Sequence, residues 1–170
     1  MRHDLEAPIT LDDHFDLGIS VEIAEHLTPP AASTLIKNLC MSSDVVLFGA
    51  ATKFQGGKNH VNEHRASEWV ALFQQESYKC LDVVRKYIWD QDNIGIAYRQ
   101  NLFVFVNNDK TELIQAIVEK LPAADMPIDV IHPDLYERHM ASVYYPSFRF
   151  VLGRMYRFLK YSVLRFQKTH

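Results

Sequence analysis

The chain has 170 residues, of which 48% are apolar, 12% aromatic and 23% charged. These proportions belong to an ordinary folded domain and exclude a disordered tract, a collagen repeat and a coiled coil. The net charge of −3 is unevenly placed: residues 138–170 carry seven Lys and Arg and no acid, against 11 bases and 21 acids before them. An acidic body therefore precedes a basic tail. No apolar run approaches the length of a membrane span, and Met1-Arg2-His3-Asp4 has no apolar core behind it, so no secretory leader is expected. Cys40 and Cys80 lack metal-ligand spacing and do not suggest a disulfide framework, which predicts a reducing, cytoplasmic setting.

Phe15 to Val21 reads as a short strand running at once into Glu22-Ile23-Ala24-Glu25-His26-Leu27. Thr28-Pro29-Pro30 then predicts a helix start, with Thr28 as the cap and proline in the first turn. Leu35, Ile36 and Leu39 keep helical spacing. Val45 to Phe48 is continuously apolar, the mark of a strand covered on both faces. A polar, glycine-containing loop follows from Ala51 to His64. Ser67 predicts the cap of a helix carrying Trp69, Leu72 and Phe73 on one face, with Trp69, Phe73 and Trp89 as core. Leu81 to Ile88 and Leu102 to Val106 read as two further strands, expected as an antiparallel, hairpin-like pair. Asp109-Lys110-Thr111-Glu112 has capping-box spacing ahead of Leu113, Ile114, Ile117, Val118 and Leu121. Ala123 to Pro133 reads as a linker, and the chain turns helical again from Ser147.

Three groups of segments, in this order, carry a resemblance. They are Phe15-Asp16-Leu17 leading into Glu22 to Leu27, then Gln55-Gly56-Gly57 with His60-Val61-Asn62-Glu63, then Gln100-Asn101-Leu102-Phe103-Val104-Phe105. Together they resemble the C-terminal part of class I S-adenosylmethionine-dependent methyltransferases, over Asp4 to Val106. The resemblance implies an α/β fold: an incomplete Rossmann-like sheet made of strands four to seven of the family order 3-2-1-4-5-7-6, plus a C-terminal helical extension. The partial domain would span residues 1–121 and the extension 122–170. In that order strand four pairs with strand one, so Phe15 to Val21 is expected to have an open edge able to recruit another chain. The implied cofactor is S-adenosylmethionine, with Asp4 accepting from the adenine amino group, Leu5 offering its backbone N–H to the ring, and Glu22 completing the cofactor side. One departure stands out. None of the six glycines forms the family's G-x-G turn, so the half that holds the methionine part of the cofactor is not expected from this sequence.

Glu22, Glu25 and His26 stand at i, i+3 and i+4, so one helical turn gathers them on one face. Two carboxylates and an imidazole suit a divalent cation. His60, and after it His64, lies in the loop that follows the next strand, at the same end of a parallel sheet. The arrangement resembles the metal-dependent O-methyltransferases of small RNAs and of the ubiquinone pathway. The resemblance implies Glu22, Glu25, His26 and His60 as metal ligands, with the metal lowering the pKa of the acceptor hydroxyl. Without metal, Glu25 and His26 would serve the helix start, and His26 or His60 would be the general base, with Asn62 and Glu63 orienting it, binding substrate or stabilising the loop.

From Phe148, the residues Val151, Leu152, Met155, Phe158, Leu159, Val163 and Phe166 share one helical face. Arg149, Arg154, Arg157, Lys160 and Lys168 share the other. Such a helix packs on the domain or a second copy, or lies on an anionic membrane surface. No base-stacking motif speaks for nucleic acid. The expected function is O-methylation of a hydroxylated small molecule or sugar. The competing expectation is a non-catalytic, truncated relative that serves as a binding or partner subunit; a separate chain supplying the N-terminal half would restore the enzyme reading.

Overall fold

Four short strands are built from β-branched and aromatic runs: β1 (Gly18–Val21), β2 (Val45–Gly49), β3 (Tyr78–Leu81) and β4 (Phe103–Asn107). They form one mixed sheet in the order β1-β2-β4-β3. β1 and β2 are parallel, and β4 runs antiparallel to both its neighbours. The computed structural model describes residues 3–11 and 13–167. The chain divides into two compact units, residues 1–132 and residues 133–170.

The first unit is α/β. Helices α1 (Ala31–Ser42) and α2 (Ala66–Gln75) lie with one face of the sheet, α3 (Arg85–Ile88) and α4 (Ile96–Asn101) fill the β3–β4 connection, and α5 (Thr111–Lys120) follows β4. Alternation along the strands separates two layers. Val46, Phe48, Phe103 and Phe105 point into a core with Leu35, Ile36, Trp69, Phe73 and Tyr78. Phe73 stacks on Phe105 at 3.7 Å between ring centroids, and Phe48 packs edge-on against Phe73 at 5.2 Å. The opposite layer is smaller: Leu81, Val83 and Val106 meet Ile114 and Ile117 of α5. It does not reach β1, where Ile19 is 60% exposed. β1 stands at an edge of the sheet, as expected.

Several local expectations are corrected. The apolar run from Leu81 to Ile88 is not a strand, because the strand is Tyr78–Leu81 and residues 85–88 turn helical. Asp82 and Arg85 supply the reason. Their i,i+3 spacing forms an ion pair only across a turn, and the fully buried Arg85 guanidinium also lies 4.4 Å from the Phe103 ring centroid. The β3–β4 pair is antiparallel but is no hairpin, since α3 and α4 intervene. Thr28 does not cap α1; its backbone N–H donates to Glu6 and its carbonyl accepts from Ala31. Ser67 lies inside α2, where its N–H and hydroxyl both donate to Asp129, and the Arg65 N–H is taken by Glu68. The 109–112 capping box is not made, because Lys110 occupies the cap position without a side-chain bond. Trp69 and Phe73 are buried as expected, whereas Trp89 is half-buried.

The second unit consists of α6 (Pro133–Tyr144) and α7 (Phe148–Gln167). α6, which no sequence pattern above marks as a helix, begins where the expected linker ends: Pro133 opens it, where its fixed φ and missing N–H suit a first helical position. α7 carries Val151, Leu152, Met155 and Phe158 along one stripe and Arg149 and Arg154 along another. The face expected of Arg157, Lys160, Val163, Phe166 and Lys168 lies outside the described side chains. No helix among the described residues is long and apolar enough to cross a membrane.

Candidate metal centre

Because β1 and β2 are parallel, both leave the sheet at the same edge, β1 into Glu22 and β2 into the loop of residues 50–64. Glu22 turns the chain there. It adopts φ 55°, a left-handed conformation rarely taken by side chains other than Gly, Asn and Asp, and its N–H donates to Gly49 C=O at 2.9 Å. A 3-10 turn, Ala24–His26, follows in place of the α-helical turn expected from the sequence. The loop is laid directly on that turn. Val61 and Asn62 donate their N–H groups to Glu25 C=O, and the buried Asn62 amide donates to Ala24 C=O at 3.1 Å. Asn62 thus joins the two segments through backbone contacts.

The result brings three expected ligands together. Glu25, His26 and His60 each offer one ligand atom, and these atoms lie within 4.8 Å of one another. The two imidazole rings stand 4.9 Å apart at 84°. Donors on a common divalent cation, with bonds of about 2.1 Å, are separated by roughly 3–4 Å, so an inward shift of about 1 Å closes the set. Glu22 joins them electrostatically. Burial pushes its carboxyl pKa up and Glu25 adds to that, through its charge and a side-chain hydrogen bond, while a hydrogen bond from Asn101 and the nearness of His60 pull it down.

Both imidazoles are oriented from behind. His60 Nδ1 lies 2.9 Å from Glu63 Oε1, and His26 Nδ1 lies 3.3 Å from Asn59 C=O. Each partner only accepts, so each Nδ1 carries the proton and each Nε2 presents its lone pair, which is how metal-bound histidines are held. Glu63 also takes N–H bonds from Phe54 at 2.9 Å and Gly56 at 2.7 Å, which fixes it against the loop. Gly57 is the neighbour that lets His60 sit here: a Cβ at position 57 would stand 2.2 Å from His60 Nε2.

The decisive detail is Glu25. Its side chain is fully buried, and no N–H or hydroxyl group among the described residues donates to either carboxylate oxygen, which leaves the Glu22 carboxyl as its hydrogen-bonding neighbour; one Glu22 oxygen is likewise without a donor. Buried carboxylates are normally paired or hydrogen-bonded, and an orphaned one costs several kcal/mol. A divalent cation meets that deficit, and a donor set of carboxylate oxygen with two imidazole nitrogens suits one of borderline character. The residues fit a metal.

Other expected site residues fall elsewhere. His64 Nε2 lies 2.8 Å from Asn62 Oδ1 and its ring stands edge-on to Trp69, so it braces the loop. Asp4 is exposed and its Oδ1 accepts from the Glu6 N–H at 3.0 Å, while Leu5 packs against the core. Gly57 and Asn101 stand in segments that carry the resemblance but without an expected role at the site, and Asn59 stands in none of them. The adjacent glycines just before His60 were the available signal for Gly57; nothing marked the Asn59 carbonyl. Cys40 and Cys80 are free thiols and belong to no metal-ligand grouping among the described residues. Set beside known protein families, characterised proteins and solved structures, the chain matches none of them.

Proposed function

We propose that this chain is the acceptor side of a class I methyltransferase-like domain, binding a divalent cation through Glu25, His26 and His60 with Glu22 beside them, for O-methylation of a hydroxylated small molecule or sugar. The single observation that carries the reading is the buried Glu25 carboxylate with no N–H or hydroxyl donor, facing two histidines whose Nδ1 atoms are already engaged. The strand order supports the family part. β1-β2-β4-β3 with an antiparallel β4 is what strands four, five, seven and six give at the end of the order 3-2-1-4-5-7-6.

A bound divalent cation would supply Lewis acidity, lowering the pKa of a hydroxyl held against it. The remaining roles belong to the chain. Glu22 and Glu25 bring the negative charge that balances a dication. Glu63 and Asn59 fix the imidazole tautomers, and the 3-10 turn and loop 59–62 hold both histidines at one sheet edge. The donor side does not fit in the same way. No glycine lies in a G-x-G turn, and the Asp4 carboxylate is engaged by Glu6. That observation favours a second reading, a metal-binding partner subunit without transfer activity of its own.

Equilibrium dialysis against Mn²⁺ tests the metal centre: one ion per chain is expected, and none with His60→Ala. Calorimetric titration with S-adenosylmethionine then separates the two readings. Saturable micromolar binding would place the cofactor half on this chain, and its absence supports the partner-subunit form.

A further inference from the structure

The loop that carries His60 has a second face, and that face lines a cavity of about 290 Å³ with Thr52, Lys53, Phe54, Arg65, Asp129 and Ile131. Its chemistry differs from the rest of the acidic body. Lys53 and Arg65 are two of only 11 bases among the first 137 residues, and neither is in an ion pair among the described residues. The single acid, Asp129, has both oxygens committed, Oδ1 to the Ser67 N–H and Oδ2 to the Ser67 hydroxyl. The cavity is therefore net positive. Phe54 supplies an apolar plane beside the cations: it is 73% exposed, is held at φ 69°, and has the Lys53 ammonium 5.8 Å from its ring centroid. An exposed phenylalanine kept in a strained conformation is costly unless the ring is needed where it points.

One carboxylate ties this cavity to the metal centre. Glu63 Oε2 accepts from the Phe54 N–H, while its Oε1 accepts from His60 Nδ1. The wall of the cavity and a metal ligand thus hang on the same side chain. We infer that the cavity is the recognition subsite for the acceptor and takes an anionic sugar: the ring lies on Phe54, and a phosphate or carboxylate substituent is held between Lys53 and Arg65. Flat apolar sugar faces stack on aromatic rings, and guanidinium and ammonium groups together favour phosphate or carboxylate. This inference rests on the acceptor-side reading above and names its substrate class.

The test uses the full chain and glucose 6-phosphate, glucose and inorganic phosphate as probes, titrated by calorimetry with and without Mn²⁺, while Mn²⁺ occupancy is followed separately by electron paramagnetic resonance. Glucose 6-phosphate should bind at least tenfold more tightly than glucose or inorganic phosphate. The double variant Lys53→Ala/Arg65→Ala should remove the preference for the phosphorylated sugar and leave Mn²⁺ binding unchanged. Phe54→Ala should weaken binding of glucose 6-phosphate toward that of inorganic phosphate. Equal affinity for glucose and its phosphate, equal affinity for inorganic phosphate, or an undiminished preference in the double variant would each overturn the inference. Loss of the metal reading alone has a different signature: no bound Mn²⁺, with the preference for the phosphorylated sugar intact.

Discussion

Replacing Glu25 by Gln separates stability from metal binding, because the structure predicts opposite effects on the two. In the metal-free chain, Glu25 is a fully buried carboxylate without an N–H or hydroxyl donor, hydrogen-bonded to a second carboxyl at Glu22 whose pKa burial has pushed up. Gln has the same shape, removes one buried charge, and brings an NH2 group that can donate to Glu22. Relieving one unsatisfied buried polar or charged group is worth about 1–3 kcal/mol. In a chain of this size 1 kcal/mol moves the melting temperature by roughly 2–4 °C. A stabilisation of about 2 kcal/mol therefore raises the metal-free midpoint by roughly 4–8 °C. The wild-type chain should gain from metal instead. At a free ion concentration a hundredfold above Kd the gain is about 2.7 kcal/mol, or roughly 5–11 °C. Glu25→Gln should lose most of that gain.

The assay is thermal unfolding of both proteins in chelator and in millimolar Mn²⁺. In chelator the variant should melt higher, and in Mn²⁺ the order should reverse or close. A variant that melts lower than wild type in chelator would refute the claim that Glu25 is strained without metal. A variant that gains as much from Mn²⁺ as wild type would refute its role as a ligand.

Gly57→Ala should leave the fold intact, since the clash is confined to the movable His60 ring, but it should weaken Mn²⁺ binding at least tenfold in equilibrium dialysis. For Glu22 the folded pKa lies above its ordinary 4.5, so the folded chain binds more protons than the unfolded chain between the two values. The metal-free midpoint should therefore be favoured below that window and fall as pH rises through it, and Glu22→Gln should flatten the slope measured by thermal unfolding across pH. The same proton competes with the cation, so Mn²⁺ affinity should drop on acidification. Burial pushes the Cys40 and Cys80 thiols up to about 12, so roughly one in ten thousand is thiolate at pH 8, and iodoacetamide should label neither until the chain is unfolded.

Much of this architecture was legible in the sequence wherever a single pattern had a single physical solution. Val45 to Phe48 reads as a buried strand because a run of four apolar residues next to Gly49 leaves few alternatives. The stripe from Ile114 to Val118 reads as a helix because its spacing is helical. Leu81 to Ile88 misled because its outcome depends on a pair, Asp82 with Arg85, whose attraction is expressed only once Phe103 and the carbonyl of Ile128 surround the guanidinium. The caps misled for a related reason. Thr28 and Ser67 have the right chemistry, but long-range partners, Glu6 and Asp129, take their N–H groups, while Asp109 falls one residue short of the cap at Lys110 and its N–H goes to Asn107. The candidate ligands were legible as types and spacings. Their second partners were not, because a backbone carbonyl such as that of Asn59 has no signature in the sequence.

The places where local rules fail are grouped, and the grouping bears on function. Among the described residues, four other than glycine adopt positive φ: Glu22, Phe54, Asn59 and Ser77. Three of these four flank the candidate centre. Glu22 turns the chain out of β1, Asn59 presents the carbonyl behind His26, and Phe54 is pinned to the carboxylate behind His60. Left-handed backbone costs about 1 kcal/mol or more for such residues, and a buried carboxylate without donors costs more again. A sheet edge serving only to close the fold could be built from the same strands with none of these costs. Strain concentrated on Glu22, Glu25 and the loop around His60 is the pattern expected where a site is held ready for a ligand that offsets the cost on binding.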